Sequence, residues 1–482
     1  MKSSLSNNMC ISLFGIIGSS FYLHAQKIPN VIFVLADEWR AQSVGYNGNM
    51  DIITPNLDKL AGESLSLFNT ISCCPVSCPY RGSLLTGQYP LTTGVFMNDV
   101  QLNPESRTLS KVFREAGYKT AFIGKWHLDG HGRSSFIPAE RRQGFEYWKV
   151  LECTHDYNNS YYWDNEDNKK KWDGYDAYAQ TADAINYINE TSKSNKPFLL
   201  ILSWGPPHTP FETAPESCKE LYRGMTLNNR GNVPVEESDK TKNDLVGYYG
   251  HITALDSCIG ALQDAVRNAG IEENTVFVFT SDHGAMVNSH GYMHKQRPYE
   301  ESIHVPFLLK YPAILGREGK RLDMLFNTPD IMPTLLGLCE LSIPNSVEGD
   351  DKSQVLLGRK TDTTTEVLIA CYQPFGQWAR NNGGKEYRGV RTKRYTYVRD
   401  LTGPWLLFDN EKDPWQMNNL INQPGYDDIQ MELNHKLNNL LQKSNDKFLP
   451  GIEYIKKWKY VVDETETIPY RTINYQGLTI TE

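Results

Sequence analysis

Val31-Ile32-Phe33-Val34-Leu35-Ala36 is an unbroken apolar run, closed by Asp37-Glu38. A strand without polar alternation is covered on both faces, as in the centre of a parallel sheet. Downstream, Thr54-Pro55 with Leu57, Leu60 and Ala61 supplies an N-cap, a proline at the first helical position and one apolar stripe. Leu109, Val112, Phe113 and Ala116 repeat at helical spacing, and Gly117 ends that helix. Further apolar runs predict strands over 120–123, 197–203, 275–280 and 305–309. A long helix carrying Leu245, Tyr249, Ile252, Leu255, Ile259, Leu262 and Val266 precedes the strand at 275. This alternation predicts an α/β fold: a mostly parallel sheet sandwiched by helices.

The tail has a different texture. Residues 387–398 and 405–408 read as antiparallel strands around Leu401-Thr-Gly-Pro404, and Ile429, Leu433, Leu437, Leu440 and Leu441 mark an amphipathic helix. A smaller C-terminal α+β subdomain is therefore expected over 375–482, with a polar connector at 345–365, behind a catalytic domain over 26–374. Residues 1–25 read as a secretory signal peptide. Lys2 precedes an apolar stretch at 11–23 that is short and broken by Gly15, Gly18, Ser19 and Ser20, and Ala25 is a small residue for cleavage. The expected location is periplasmic or secreted, without stable membrane insertion after cleavage.

Composition narrows the chemistry. The chain has 482 residues, 40% of them hydrophobic, which excludes wholesale disorder. Lys+Arg is 49 against Asp+Glu 57, a net charge of −8 without a long basic run, so no nucleic-acid partner is expected. An anionic ligand must be held by local cations. The 9 cysteines are scattered and form neither a disulfide framework nor a zinc-binding pair of motifs. Cys258 and Cys339 fall in apolar helical patterns and are expected as buried thiols; export leaves one or two disulfides open.

Polar residues gather after the carboxyl ends of the expected strands: Asp37-Glu38, Gly124-Lys125-Trp126-His127, His208 and Asp282-His283-Gly284. Each alone is an ordinary cap or turn. Together they converge, because ligands of open parallel sheets bind outside those ends.

The most specific stretch is Cys73-Cys-Pro-Val-Ser77-Cys-Pro79-Tyr-Arg81-Gly-Ser-Leu-Leu-Thr86-Gly87. It resembles the signature of the type I, formylglycine-dependent sulfatases: Cys or Ser, any residue, Pro, any residue, Arg, then Leu-Thr-Gly. Aligned on Pro79, Arg81 and Thr86-Gly87, the nucleophile falls on Ser77, and Cys78 takes the free position. The resemblance covers nearly the whole chain, through Asp37, Gly124-Lys125-Trp126-His127, His208 after Gly-Pro-Pro, Ser281-Asp282-His283-Gly284, Lys295, and the 407–420 region. It implies an alkaline-phosphatase-like fold and a serine-type bacterial carbohydrate sulfatase.

The roles that follow are those the resemblance implies. Ser77 becomes formylglycine at the start of a helix expected over 81–85, where N–H groups favour an anionic oxygen. One hydroxyl of the aldehyde hydrate would attack sulfur; the other would collapse to the aldehyde and expel sulfate. Arg81, Lys125 and Lys295 would neutralise the sulfate oxygens. His127 would serve as the base for collapse and His208 as the proton donor to the leaving oxygen, with an exchange of the two roles left open. Asp37, Asp282 and His283, with Ser77, would ligate Ca²⁺ or, alternatively, Mg²⁺. Glu38 stands where the family usually has Asp or Gln, and whether its longer arm reaches the metal is open. A serine nucleophile implies a radical iron–sulfur maturase as a transient partner.

The polar, aromatic stretch over 129–180 suits contacts with a sulfated saccharide, with Arg133, His155 and Asn158 as candidates and Arg297 beyond Lys295. Two other functions stay open. One is a phosphatase or phosphodiesterase of the same superfamily using serine directly, usually with two metals. The other is an unmodified protein that only binds sulfated glycans.

Overall fold

The structure, a computed structural model, describes residues 28–480, so the expected signal peptide lies outside it. The strands are β1 (Asn30–Asp37), β2 (Leu65–Ile71), β3 (Lys119–Lys125), β4 (Tyr147–Leu151), β5 (Phe198–Pro207), β6 (Thr275–Ser281), β7 (Phe307–Lys310) and β8 (Lys320–Asn327). They form one eight-stranded sheet in the order β8-β2-β7-β6-β1-β5-β3-β4. β1 lies between β5 and β6, parallel to both. Its side chains alternate between two cores. Val31, Phe33 and Leu35 join one cluster, and Ile32, Val34 and Ala36 join the other. Both faces are buried, which is why the sequence shows no alternation there.

Among the helices that cover the two faces are α1 (Pro55–Ala61), α2 (Ser77–Thr86), α3 (Leu109–Glu115), α4 (Asp176–Thr191) and α5 (Ser238–Asn268). Leu84 and Leu85 of α2 and Leu109 and Phe113 of α3 pack on the Phe33 face. Leu57 and Leu60 of α1, Ile188 of α4 and Leu255, Ile259 and Leu262 of α5 pack on the Val34 face. The structure is thus the expected doubly covered sheet.

Several local expectations are corrected. The strand expected at 305–309 is β7, and it runs antiparallel to both β6 and β2. Thr54 sits at the N-cap of α1, but its hydroxyl does not cap the helix; it bonds Asp58 Oδ1 and accepts from the Gly45 N–H. The helix expected over 81–85 begins at Ser77, so the serine lies in its first turn.

The C-terminal sheet has the strands β9 (Glu366–Cys371), β10 (Tyr387–Thr392), β11 (Tyr395–Asp400) and β12 (Gly403–Asp409), paired antiparallel in that order. It starts upstream of the boundary drawn at residue 375. The run expected as one strand over 387–398 folds into a hairpin, because Thr392 Oγ1 accepts the N–H groups of Arg394 and Tyr395. One face of this sheet packs through Ile369, Tyr387 and Val398 against Ile71 and Leu325 of the large sheet. The other is covered by α6 (Asp427–Lys443) through Leu433, Leu437 and Leu441. The eight cysteines among the described residues are buried and free, Cys258 and Cys339 included. No helix among them is long and apolar enough to cross a membrane.

Candidate active site

The carboxyl ends of β1, β3, β5 and β6 and the N-terminus of α2 meet at one place. Asp37 is the last residue of β1. Glu38 follows in the left-handed region, φ 68°, and turns the chain there. Its N–H donates to Asp282 Oδ1 at 3.1 Å, which ties the ends of β1 and β6 together. Gly124, at φ 101°, precedes Lys125 at the end of β3; a Cβ there would lie 2.0 Å from the Ser203 carbonyl oxygen of β5. Gly284, after His283, is equally constrained by the carbonyl of Glu301. The Gly-Lys-Trp-His and Asp-His-Gly elements therefore carry glycine because neighbouring backbones approach too closely for a side chain.

Ser77 is buried, and its Oγ lies 3.3 Å from His283 Nε2 and 3.4 Å from Asp37 Oδ2. Asp37, Asp282 and His283 offer ligand atoms all within 4.8 Å of one another. His283 Nδ1 faces the Gly284 carbonyl at 3.0 Å, which fixes the ring with Nε2 toward the carboxylates. Asp37 Oδ1 is buried without a hydrogen-bond partner. An orphaned carboxylate oxygen beside a second carboxylate and an imidazole nitrogen is a donor set that fits a divalent cation.

Fixed cations border this group. Lys125 Nζ is 2.5 Å from Asp37 Oδ2, and Arg81 Nη2 is 3.4 Å from Asp37 and 3.5 Å from Asp282. Arg81 is anchored by Nη1, which donates to Ser203 Oγ at 2.6 Å and to the Lys125 carbonyl. Burial alone would raise the Asp37 carboxyl, but Lys125, then His208, His283 and Arg81, hold it well below the usual range. Lys125 is raised in turn by Asp37, against its own burial.

Glu38 does not join the metal group. Its Oε2 is 3.2 Å from His208 Nε2, and its Oε1 is 3.5 Å from His294 Nδ1 and 3.6 Å from Lys295 Nζ. The left-handed backbone at Glu38 parts its carboxylate from that of Asp37. His208 Nδ1 faces the Thr209 carbonyl at 2.9 Å, and Lys295 Nζ approaches Nε2 at 2.5 Å. Burial, with Lys295 adding to it against Glu38, keeps His208 well below the ordinary imidazole range.

His127 stands across the cleft, with Nε2 3.2 Å from Asp99 Oδ1 and Nδ1 buried without a partner. Asp99 also accepts two 2.7 Å bonds from Arg133. Burial pushes His127 below its ordinary value, against the raising influence of Cys153 and Asp99.

These groups line a cleft of about 330 Å³ that contains Ser77, Lys125, His127, His208, Lys295, Arg133, His155 and Arg297. His155 stacks on His208, centroids 4.6 Å apart; its outer edge is exposed, while desolvation against the cleft wall and the nearby Lys125 and Lys295 lower its pKa. Asn158 is not brought in. It is exposed and donates to the Thr213 carbonyl, so its polarity serves a surface turn. Most of the polar 129–180 stretch likewise satisfies itself: Arg141 pairs with Asp129, and Arg142 bonds Ile137 and Asn165. Asp99, Cys153 and His294 were missed. Position beside flagged residues was the only signal: His294 precedes Lys295, Cys153 lies in the 129–180 stretch two residues before His155, and Asp99 had none.

Residues 29–341 match the sulfatase family model, and residues 288–443 match the model of the N-sulphoglucosamine sulphohydrolase C-terminal region. An ulvan-active sulfatase of Formosa agariphila is 42% identical over 450 residues, covering 92% of this chain and 88% of its own. An endo-4-O-sulfatase of Bacteroides thetaiotaomicron is 31% identical over 449 residues, covering 81% and 88%. The solved structure of yidJ from Bacteroides fragilis, assigned as a sulfatase, superposes with a TM-score of 0.80 at 31% identity, over 89% of this chain and 98% of that one.

Proposed function

The chain belongs to the sulfatase family, and from that premise we propose that Ser77, oxidised to formylglycine, is the nucleophile of an exported enzyme that cleaves sulfate esters on carbohydrates. One observation carries this reading. The Ser77 hydroxyl lies in the first turn of α2, against Asp37 and His283, where Arg81 and Lys125 neutralise the carboxylates. Backbone N–H groups of that turn and the helix dipole favour negative charge on its oxygen. The hydrate of formylglycine would supply a second hydroxyl whose collapse to the aldehyde expels sulfate, so no water need attack the sulfated residue, and one water then restores the hydrate.

The other residues bind charge and move protons. Around the site, Asp37, Glu38 and Asp282 face Arg81, Lys125 and Lys295. A divalent ion held by Asp37, Asp282, His283 and residue 77, with Ca²⁺ expected and Mg²⁺ the alternative, would leave the site positive and polarise a sulfate oxygen. Glu38 is left out of that ligand set. His127 is held neutral by burial and is suited to accept the proton that residue 77 gives up, at Nδ1. His208 is also neutral in the free cleft. An anionic sulfate arriving beside Lys295 offsets the charge that depresses it and favours its protonated form, the state a donor to the leaving oxygen needs.

The expected saccharide contacts are His155 and Arg133, which line the cleft, and Arg297. Maturation by a radical iron–sulfur enzyme and location in the periplasm or beyond complete the proposal. The test is sulfate release from sulfated saccharides by protein made with and without a maturase. Equal turnover from unmodified Ser77 would favour direct serine chemistry, and none from the modified form would favour a binding protein.

A further inference from the structure

Arg297 stands apart from the other cations of the cleft. It is 6% exposed, and its guanidinium lies over the Tyr292 ring at 3.7 Å and 5.2 Å from the Trp378 centroid. Nη1 reaches the Lys295 carbonyl at 3.5 Å, and Nε is buried without a partner. Arg81, Lys125, Lys295 and Arg133 each face a carboxylate: Asp37, Asp37, Glu38 and Asp99 respectively. Arg297 faces none among the described residues. A buried cation without a counter-charge is costly to hold. The surroundings hold it nonetheless. Gln296 exchanges two hydrogen bonds with the backbone of Phe375, and Tyr387 donates to the Gln296 carbonyl, which fixes the strip that carries Arg297 against the Phe375–Trp378 wall. A rigid, aromatic-clamped guanidinium with its Nε donor free is preorganised for a planar or tetrahedral oxyanion.

We propose that Arg297 binds a second anionic group of the substrate, apart from the sulfate ester that is cleaved: the carboxylate of a neighbouring hexuronate or a second sulfate. The site therefore selects polyanionic saccharides over singly charged ones. This rests on the sulfated-glycan reading above, and it names the feature of the glycan that this chain selects. The cleaved sulfate has its own cations in Arg81, Lys125 and Lys295, so Arg297 is left for the second charge.

The experiment compares the matured enzyme with its Arg297→Gln and Arg297→Lys variants. Substrates are sulfated oligosaccharides from lyase digests of chondroitin sulfate, heparan sulfate and ulvan. Each is paired with the same oligosaccharide after reduction of its hexuronate to a hexose, and disulfated members are paired with their monosulfated counterparts. For the preferred anion, the wild type is expected to favour the doubly charged member in kcat/KM on the order of 10- to 100-fold, the range of one charge-assisted contact. Arg297→Gln brings that ratio toward one, and Arg297→Lys keeps part of it. Loss of preference on carboxyl reduction identifies a uronate; loss on removing the second sulfate identifies a sulfate. No preference in the wild type, or equal losses by Arg297→Gln on both members of every pair, overturns the proposal.

Melting without ligand separates binding from a structural role. Arg297→Gln is expected to melt at or above the wild-type temperature, since it removes an unpaired buried charge. A fall of more than about 3 °C would mark Arg297 as a structural prop and overturn the proposal. If the matured wild type released no sulfate from any saccharide, the sulfated-glycan reading would fail by itself. Calorimetric binding of the same pairs to Ser77→Ala, with and without Arg297→Gln, and the melting comparison would still decide the role of Arg297.

Discussion

His127 Nε2 lies 3.2 Å from Asp99 Oδ1, and the other nitrogen of the ring, Nδ1, is buried with no partner. A carboxylate on one side of an imidazole selects the tautomer with its proton there and leaves the opposite nitrogen free to accept one. Asp99 is itself held by both arms of Arg133, so the ring orientation is fixed from behind. Asp99→Asn keeps the shape and removes the charge. It is expected to lower kcat by about 100- to 10,000-fold, the range of general-base effects, with a smaller change in KM. Asp99 raises the His127 pKa, so its loss lowers that pKa further, and the acid limb of the kcat profile moves to lower pH. A pH–rate series on the variant checks both; an unmoved limb with full kcat would remove Asp99 from the mechanism.

The metal group leads to a second prediction. Chelation of divalent ions is expected to abolish turnover, and Asp282→Asn to weaken metal affinity by at least about 10-fold. Glu38→Gln is expected to leave metal affinity as it is and lower kcat, because its carboxylate faces His208, His294 and Lys295. Titration of the chelated protein with Ca²⁺ distinguishes the cases. A large loss of affinity in Glu38→Gln would return Glu38 to the ligand set.

Stability should fall in acid for a reason that can be localised. Tyr175 Oη and Nδ1 of buried His251 are 2.7 Å apart, and the Pro210 carbonyl lies 3.2 Å from Nε2. This arrangement suits the neutral ring, and burial lowers its pKa from 6.5 to about 4. The unfolded chain takes up the proton near 6.5 and the native protein only near 4, so this stability is present above pH 6.5 and is lost between those values. The loss at pH 4 is about 3 kcal/mol for this group. Denaturant unfolding of wild type and His251→Gln from pH 7 to 4 should show a shallower decline in the variant. Parallel curves would contradict the assignment.

Legibility in the sequence followed burial. β1, β5 and β6 are covered on both faces, so their continuous apolar runs announced them. β2, β4 and β8 carry partly exposed positions, and their mixed patterns hid them. The direction of β7 was not readable, because an apolar run is the same parallel or antiparallel. In the cleft, residues at strand ends were found because topology places them there. Asp99 was not, since its partners His127 and Arg133 lie far along the chain and its own surroundings carry no pattern. Asn158 failed for the opposite reason: a polar residue in a polar loop has the same composition whether it faces a sugar or water.

Replacement of the nucleophile gives a further check. Ser77→Ala should retain the fold, lower Ca²⁺ affinity less than Asp282→Asn does because it removes a neutral rather than a charged ligand, and lose turnover altogether, because alanine cannot become an aldehyde. Ser77→Cys should regain turnover in a host that oxidises cysteine at such sites, since the thiol is the easier starting point for the same aldehyde. Sulfate release by Ser77→Ala at the wild-type rate would end the nucleophile assignment.

The most direct measurement is the mass of the proteolytic peptide containing residue 77, taken alongside turnover from protein made with and without a radical iron–sulfur maturase. The account predicts a peptide two hydrogens lighter than the serine form only when the maturase is present, with turnover rising in proportion to that fraction. Full turnover from a peptide that retains the serine mass would contradict it.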